Sequence, residues 1–404
     1  MASLFDRDTL ANSLHPIRYD WLMEQTQTET RTTRKDALKR TWRRELLRLW
    51  LLTPGILALA FTMLARANPD VCEHVFSRNV YPLVSSVWGY LPSLTSFSVA
   101  QWVVVIAVVS IACMLIYYIM RIITRRGERL RYLYRLITSA FSIISIAFFL
   151  YAMLCGLNYY RYTFAQNEGF DVRESTTQEL VDLCGELTIE LNTARAEIGD
   201  DMQAHIDERG GFAGYAVRSI DEMKVLAEQY TTLERPVYSQ PKPVTFFSWL
   251  MSYGDITGMY FAFTVESNIN TLPPFYTIPA TMGHELAHQC GYMREDEANF
   301  IAYLACKQSG DPLIRYSGYS LAYSYTISAL ARVDENAARQ VAAELSDAVQ
   351  ADRVENAEFW ASYDGPFRMF AQQANDAYLK ANDQSDGVRS YGRMVDLLLA
   401  ERRG

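Results

Sequence analysis

Three long apolar runs constrain the fold of this chain more than any other feature of its sequence. Trp102–Met120 and Leu136–Leu157 consist mainly of aliphatic and aromatic residues. A bilayer core about 30 Å thick is crossed by roughly 20 apolar residues of helix, so both runs predict membrane spans. The third run, Leu49–Ala65, is shorter and contains Pro54. We expect it to span as well, with a buried or interfacial helix as the alternative.

The distribution of positive charge predicts how these spans are oriented. The chain has a net charge of −8, yet lysine and arginine are dense in residues 30–48 and arginine again in the loop 121–135. The loop between them, 66–101, has two arginines and no lysine. Because positive loops stay in the cytoplasm, residues 1–48 are expected to be a cytoplasmic basic segment and the chain after residue 157 to be extracytoplasmic.

A basic stretch of this size is also typical of nucleic-acid binding. Its position directly before an apolar run favours the membrane interpretation, so we expect the lipid bilayer as a partner and no nucleic acid. The N-terminus has no apolar core of the kind that a cleavable signal peptide requires. The expected organisation is therefore a basic segment 1–48, a three-span region 49–157 and a soluble domain 158–404.

The pattern of residues in that last domain is mainly helical. Apolar residues recur at helical spacing in 174–198 and 216–233. The proline-spaced stretch 236–243 predicts a linker. The composition then becomes β-branched and aromatic, and Gly258–Val265 predicts a strand of a small sheet.

A metal-binding motif, H-E-x-x-H, lies in this domain at His284, Glu285 and His288. Residues four apart share one face of a helix, so both imidazoles can bind the same ion, and neutral imidazole suits Zn²⁺. Glu285 lies beside the pair, where it can act as general base on a water held by the metal. The chain has only five histidines, so two at this spacing around a glutamate argue against ordinary core histidines.

A second acidic cluster, of the form E-x-x-A-N, begins at Glu295. It is close to the E-x-x-(A/S)-D helix motif, and this part of the chain resembles the gluzincins, including thermolysin-like and membrane-embedded CAAX-type proteases. The resemblance implies that Glu295 is the third metal ligand and that Asn299 orients His284, at a position where the family more often has Asp. Glu297 faces elsewhere on the helix and is the weaker candidate ligand.

Metzincins offer a competing pattern, in which a third histidine follows at H-E-x-x-H-x-x-G-x-x-H. The glycine is present as Gly291, but Arg294 stands at the histidine position, and arginine does not bind metals. Gly291 is expected instead to cap the first helix and to reverse the chain, which returns Glu295 to the histidines.

Several other groups of this domain could contribute to a reaction. In zincins an edge strand beside the metal pairs with the substrate backbone, and Met259–Asn270 is the candidate here, with a plain core strand as the alternative. The six cysteines include no C-x-x-C pair, no disulfide is expected, and Cys290 becomes a candidate nucleophile only without a metal. The groups that could stabilise an oxyanion, each with packing as its alternative role, are His205, Tyr316, Tyr319, Tyr323 and Tyr325.

Three sequence blocks, together with the three spans, carry a broader resemblance. They are G-M-Y-F-A-F-T-V-E-S-N-I-N, G-H-E-L-A-H-Q-C-G and S-Y-G-R-M-V-D-L-L-L. Over most of residues 45–402 the chain is similar to the bacterial domain-of-unknown-function 3810 family of membrane proteins. The resemblance implies a multi-pass protein of the bacterial cell membrane and supplies no substrate.

The sequence thus predicts a mainly α membrane protein: three transmembrane helices followed by an extracytoplasmic, zincin-like α+β domain with a small sheet. The expected function is that of a membrane-anchored zinc metallopeptidase acting on peptide bonds of extracytoplasmic or membrane proteins. The alternative is a catalytically silent zinc-binding module for protein binding or signalling. A transporter is disfavoured because no span carries an acidic residue, lysine or histidine.

Overall fold

The computed structural model of the protein describes residues 42–43, 45–382 and 393–403. Most of the predicted cytoplasmic segment 1–48 therefore lies outside the described residues. The described chain is mainly helical, with one three-stranded sheet. Its longer helices are α1 Thr53–Ala67, α2 Tyr81–Ser93, α3 Val99–Thr124, α4 Arg129–Leu154, α5 Phe164–Glu168, α6 Thr177–Ile198, α7 Met202–Glu208, α8 Gly211–Gln229, α9 Ser248–Tyr253, α10 Ile278–Gln289, α11 Glu295–Lys307, α12 Pro312–Val333, α13 Glu335–Ala342, α14 Asp347–Ala361, α15 Pro366–Ala381 and α16 Arg393–Arg403. The strands are β1 Lys242–Val244, β2 Gly258–Phe261 and β3 Glu266–Asn270.

Three helical stretches are long and apolar enough to cross a membrane: Leu47–Ala67, Val99–Thr124 and Arg126–Leu154. The three apolar helices expected from the sequence are therefore present. Pro54 does not interrupt the first of them, because it lies in the first turn of α1, where a helix needs no backbone N–H from proline.

The described residues divide into two compact units. One comprises residues 42–56 and 114–146, and the other 57–113 and 147–403. In the first unit the carboxylate of Glu45 is buried and accepts hydrogen bonds from Arg131 and Arg135, each at 2.9 Å. Two arginines that we attributed to the membrane orientation thus also hold this unit together.

The core of the second unit is built from helices. The buried residues of α6, such as Leu180, Cys184, Leu187 and Leu191, recur every three or four positions and form one apolar stripe. That stripe packs against α12, which also contacts α11, while α10 packs between α8 and α11. The two helices predicted to hold the metal ligands are therefore internal elements of the core.

The sheet has the order β1-β3-β2, with β1 parallel and β2 antiparallel to β3. The predicted strand Gly258–Val265 was too long. It ends at Phe261, the chain turns over residues 262–265, and β3 returns beside it. Val265 closes this turn with φ +55°, a conformation that a β-branched residue adopts only under tertiary constraint. β3 is buried throughout, whereas β2 is an edge strand.

The proline-spaced stretch 236–243 was predicted to be only a linker, and here too the structure differs. Its end forms β1, an edge strand in which Pro243 pairs with Ile269 without supplying an N–H to the ladder. Lys242 points inward, where its ammonium forms a fully buried ion pair with Glu266. The carboxylate of Glu266 also accepts hydrogen bonds from the backbone N–H groups of Val99 and Ala100, at 3.1 and 2.7 Å. The sheet is thereby attached to the first turn of α3.

The connection between α1 and α3, expected to be a loop, is largely helical. A π-helical stretch, Cys72–Val80, leads into α2. Glu73 in this stretch forms a buried ion pair with Arg161, at 2.9 Å. A Cβ added at Gly89 in α2 would lie 2.9 Å from the side chain of Val265. This connection therefore packs directly on the part of the chain that contains the histidines.

Candidate metal centre

The two motif histidines lie on the last turns of α10, and their rings are close together. The ring centroids of His284 and His288 are 4.6 Å apart. The helix ends as predicted, with Gly291 at φ +87°. Its N–H donates to the carbonyl of His288 at 3.0 Å, and the N–H of Tyr292 donates to the carbonyl of Ala287 at 3.2 Å. This pair of bonds is a Schellman cap, which reverses the chain sharply after the second histidine.

The reversal brings the first residue of α11 back to the histidines. Glu295 Oε2 lies 3.2 Å from Nε2 of His284, and Glu295 Oε1 lies 3.8 Å from Nε2 of His288. One ligand atom from each of these three residues falls within 4.8 Å of the other two. The three residues assigned as ligands from the sequence are thus brought together, with their donor atoms facing a common point.

The other nitrogen of each imidazole is held by a hydrogen-bond acceptor. Nδ1–H of His284 donates to Oδ1 of Asn299 at 2.8 Å, and Nδ1–H of His288 donates to the carbonyl of Tyr292 at 2.8 Å. Asn299 in turn donates from Nδ2 to the hydroxyl of Tyr325 at 3.1 Å, which fixes its amide. Both rings therefore present an unprotonated Nε2 in their neutral form, as metal ligation requires.

The charges of the three groups depend on one another. Burial lowers the pKa of His284, but the hydrogen bond and charge of Glu295 outweigh burial and raise that pKa to about 9. Burial, and then the charge of His284, lower the pKa of His288 to about 4. Burial raises the pKa of Glu295, yet the two imidazoles leave it lower than usual. His284 and Glu295 thus form a pair in which each group stabilises the charged form of the other.

Glu285 is buried beside this cluster. Its Oε2 has no hydrogen-bond partner among the described residues, and burial raises its pKa to about 8, against the opposing effects of the His284 charge and the Tyr260 backbone N–H. Gly258 of β2 lies directly against the carboxylate, so that an added Cβ would overlap Oε1. The edge strand approaches Glu285 this closely only because residue 258 has no side chain.

Glu297 of α11 faces away from the histidines. The carboxylate of Glu297, the weaker candidate ligand, accepts a hydrogen bond from the backbone N–H of Phe164 at 2.9 Å. Burial raises its pKa to about 7. The carboxylate of Glu297 therefore links α11 to the start of α5.

Of the five oxyanion candidates, the four tyrosines lie on α12 and His205 lies on α7. His205 lies 3.5 Å from Asp311, and Tyr316 donates to Asp352 at 2.8 Å, so both have structural partners. Only Tyr325 joins the hydrogen-bond network of the histidines, through Asn299. Burial raises the pKa of Tyr325, and the charge of Glu295 contributes to this shift.

Sequence reasoning missed Tyr260 and Tyr81. The ring of Tyr260 lies 6.2 Å from that of His288, and its hydroxyl donates to the carbonyl of Leu154 at 3.0 Å. The Tyr81 hydroxyl donates to the carbonyls of His288 and Gln289. The alternation of side chains along β2 could have indicated that Tyr260 lies near the site, because Tyr260 is on the same strand face as Gly258.

All six cysteines are free. Cys290 is buried next to the helix end, and burial raises the pKa of its thiol to about 11. It is therefore a protonated thiol at neutral pH, which is a poor nucleophile.

Comparison with known protein families gives one match, which covers most of the chain. A family model described as "Protein of unknown function (DUF3810)" matches residues 76–399. No curated protein matches the chain, and no solved structure does. The match runs from the π-helical stretch into the last helix, so it includes His284, His288 and Glu295, the sheet and two of the three apolar helices. The chain therefore belongs to the DUF3810 family.

Proposed function

We propose that this protein is a membrane-anchored zinc metallopeptidase of gluzincin type, which hydrolyses peptide bonds of extracytoplasmic or membrane proteins. The observation that carries the proposal is the convergence of His284, His288 and Glu295 beside a buried glutamate. Two imidazole Nε2 atoms and one carboxylate within 4.8 Å match the donor set of a catalytic zinc site, which keeps a further position open.

Two further observations support zinc at this point. Each Nδ1 is already occupied by an acceptor, so both rings are oriented by the protein and not by the ion. Glu285 Oε2 is buried and has no hydrogen-bond partner in the part of the chain that the structure describes, as expected for a base whose partner is a water or a substrate group. A bound zinc ion would polarise a peptide carbonyl and lower the pKa of a nearby water.

The chain's own residues then have distinct roles. Glu285 takes the proton of the attacking water and delivers it to the amine of the leaving group. Asn299 and the carbonyl of Tyr292 keep the two imidazoles in place through the reaction. Tyr325 is the tyrosine best connected to the centre and is our candidate for stabilising the oxyanion, since its hydroxyl belongs to the same network.

The position of β2 supports a peptide as the substrate. An edge strand exposes one row of backbone N–H and C=O groups, to which an extended peptide can add as a further strand. Gly258 places the start of this strand against Glu285. Met259 is 43% exposed, so the strand is accessible where it passes the base.

We further propose a zincin-like relationship for the helices around the centre and an extracytoplasmic location in the bacterial cell membrane. The location follows from the basic residues at 30–48 and 121–135, which favour the cytoplasm. After three crossings, the metal-bearing part would then lie on the opposite side.

The test uses the full chain in detergent or vesicles. Bound zinc is measured by elemental analysis, and cleavage of a peptide library is compared between the wild type and the isosteric Glu285→Gln variant. Zinc retained with cleavage lost in the variant supports the peptidase. Zinc in both proteins without cleavage in either supports the silent binding module, and no zinc in the wild type contradicts both functions.

A further inference from the structure

Two helices of the second unit bury small polar residues and expose most of their apolar ones. In α9 the small polar residues Ser248 and Ser252 are buried, with 3% and 1% exposure. Trp249 and Leu250 face outward, 54% and 38% exposed, as does Phe246 just before the helix at 59%, whereas Met251 is buried. A helix that packs on a core in water has the opposite arrangement.

The buried serines of α9 have specific partners in the sheet region. Asn270 donates from Nδ2 to the hydroxyl of Ser252 at 2.9 Å, and the backbone N–H of Thr271 donates to the hydroxyl of Ser248 at 3.2 Å. The orientation of the helix is thus set by hydrogen bonds, and the outward direction of its apolar residues is a consequence of them.

Helix α2 shows the same reversal. Its buried residues include Ser85, Ser86 and Gly89, whereas Leu83, Val87 and Leu91 are 62%, 79% and 74% exposed. No charged residue occurs from position 79 to 120, which takes in α2 and most of α3, nor from 243 to 254, which takes in α9. Exposed apolar surface of this extent, free of charge, is rare on a protein surrounded by water.

Both helices adjoin the beginning of an apolar span. Phe246 packs edge-on against Trp102, which lies in the first turn of α3, with ring centroids 5.7 Å apart. The backbone N–H of Phe246 also donates to Oε1 of Gln101 at 2.9 Å. Helix α2 ends at Ser93, a few residues before α3 begins at Val99. The outward side chains of residues 246–250 therefore continue the lipid-facing surface of the span.

We propose that this surface, formed by α2 and residues 246–253 and here called the interfacial face, lies in the boundary layer of the lipid bilayer at the Val99 end of α3. Tryptophan and tyrosine favour that layer because their rings are apolar and their N–H or O–H groups reach water. Such helices bury their apolar side about 5–10 Å into the boundary between headgroups and acyl chains. The inference does not depend on zinc or on peptidase activity.

The experiment uses nitroxide spin labels on the full chain in phosphatidylcholine vesicles. Cys113, the exposed cysteine, is replaced by alanine, and single cysteines are introduced by Leu250→Cys or Val87→Cys. Ile106→Cys is the reference for a span, and Val217→Cys, an exposed apolar residue of α8, is the matched control for contact with water. The accessibility of each label to oxygen and to a water-soluble nickel chelate is compared.

Labels at 250 and 87 are expected to be more accessible to oxygen than to nickel, as at 106, and the label at 217 to show the reverse. Accessibility at 250 or 87 that equals the value at 217 overturns the proposal. Low accessibility to both reagents also overturns it, since it means that protein, such as a second copy of the chain, covers the face. As a check without introduced cysteines, Trp249→Phe should reduce the tryptophan fluorescence that brominated phospholipid quenches, and Trp360→Phe should not.

Discussion

The imidazole of His284 donates from Nδ1 to Oδ1 of Asn299 at 2.8 Å, a bond that joins the end of α10 to the second turn of α11. Because the acceptor is a neutral amide, the bond orients the ring without adding negative charge. Tyr325 holds the other end of that amide. The site therefore relies on the carboxylate of Glu295 for its charge and on an amide for its geometry.

Replacing this amide tests its role. Asn299→Ala is expected to weaken zinc binding about 10- to 100-fold, as loss of an orienting partner does at other metal sites. Asn299→Asp should bind zinc at least as tightly as the wild type, since a carboxylate accepts the same hydrogen bond. Zinc affinity is measured by competition with a chelator of known affinity. Gln308→Ala, just after the same helix, serves as control, and equal affinity for the alanine variants would refute the role of Asn299.

Two acids of α11 provide a matched pair for the ligand assignment. Glu295→Gln should lose stoichiometric zinc, because it removes the carboxylate that faces both histidines and that we propose as the third ligand. Glu297→Gln should keep zinc, since its carboxylate faces Phe164. Elemental analysis of the two purified proteins decides this, and the reverse result would assign the third ligand to Glu297.

Removal of the metal should lower stability in a site-dependent way. A ligand present at 100 times its dissociation constant stabilises the folded state by about 2.7 kcal/mol. A chelator should therefore lower the unfolding temperature of the wild type and leave that of Glu295→Gln almost unchanged. Unfolding is followed by circular dichroism in detergent, and an equal response of the two proteins would contradict zinc at this site.

Gly258 is predicted to be essential for activity and not for metal binding. A Cβ in Gly258→Ala would overlap the Glu285 carboxylate and lie 2.8 Å from Cγ2 of Thr281. Crowding of this kind costs about 1–3 kcal/mol, and here it displaces the base. We expect cleavage to fall sharply while zinc content stays at the wild-type level. Gly310→Ala is the control, because a Cβ there meets nothing within 4 Å. A variant at 258 with wild-type cleavage would show that β2 does not position the base.

The ion pair between Glu73 and Arg161 predicts a specific dependence of stability on pH. Burial raises the pKa of Glu73, but the hydrogen bond and charge of Arg161, with help from Arg78, outweigh it and lower that pKa below 4.5. A carboxylate with a depressed pKa contributes its full stabilisation above pH 4.5 and loses it as the pH falls through the folded value. Stability should therefore decline on acidification in this range.

In Glu73→Gln the arginine is left buried without its partner, a change that typically costs about 3–5 kcal/mol. The loss of stability relative to wild type should be largest above pH 4.5 and should shrink below it. Denaturant unfolding at several pH values measures this difference. Asp221→Asn removes an exposed pair with Lys224 and should show no such trend. A difference for Glu73→Gln that is constant with pH would rule out the pair as its source.

The elements that were predictable from the sequence are those with a strong local pattern. Three runs of apolar residues specify apolar helices, and the spacing of His284, His288 and Glu295 required only a helix and a reversal at Gly291. The hairpin after Gly258 was not predictable in the same way. Val265 has high strand propensity but adopts φ +55°, and its side chain lies against Gly89, which is remote in sequence.

Other features that were not predicted depend on contacts that are remote in sequence. Lys242 and Pro243 were predicted to lie in a linker. The structure places Lys242 in a strand because its ammonium forms a buried ion pair with Glu266, which is remote in sequence. The pattern of α2 and α9 identifies their two faces and leaves open which face is buried, since that depends on whether water or lipid surrounds the helix. Local sequence therefore does not determine these choices, which depend on the partner that each side chain meets.

The hydroxyl of Tyr260 bonds to the carbonyl of Leu154, the last residue of an apolar span, while its ring lies beside His288. The two contacts of Tyr260 thus connect the proposed metal centre to the end of that helix. On the proposed function, the enzyme would select the scissile bond by the distance of that bond from the lipid. A polypeptide that spans the same bilayer would then be cut at a set distance from the membrane surface.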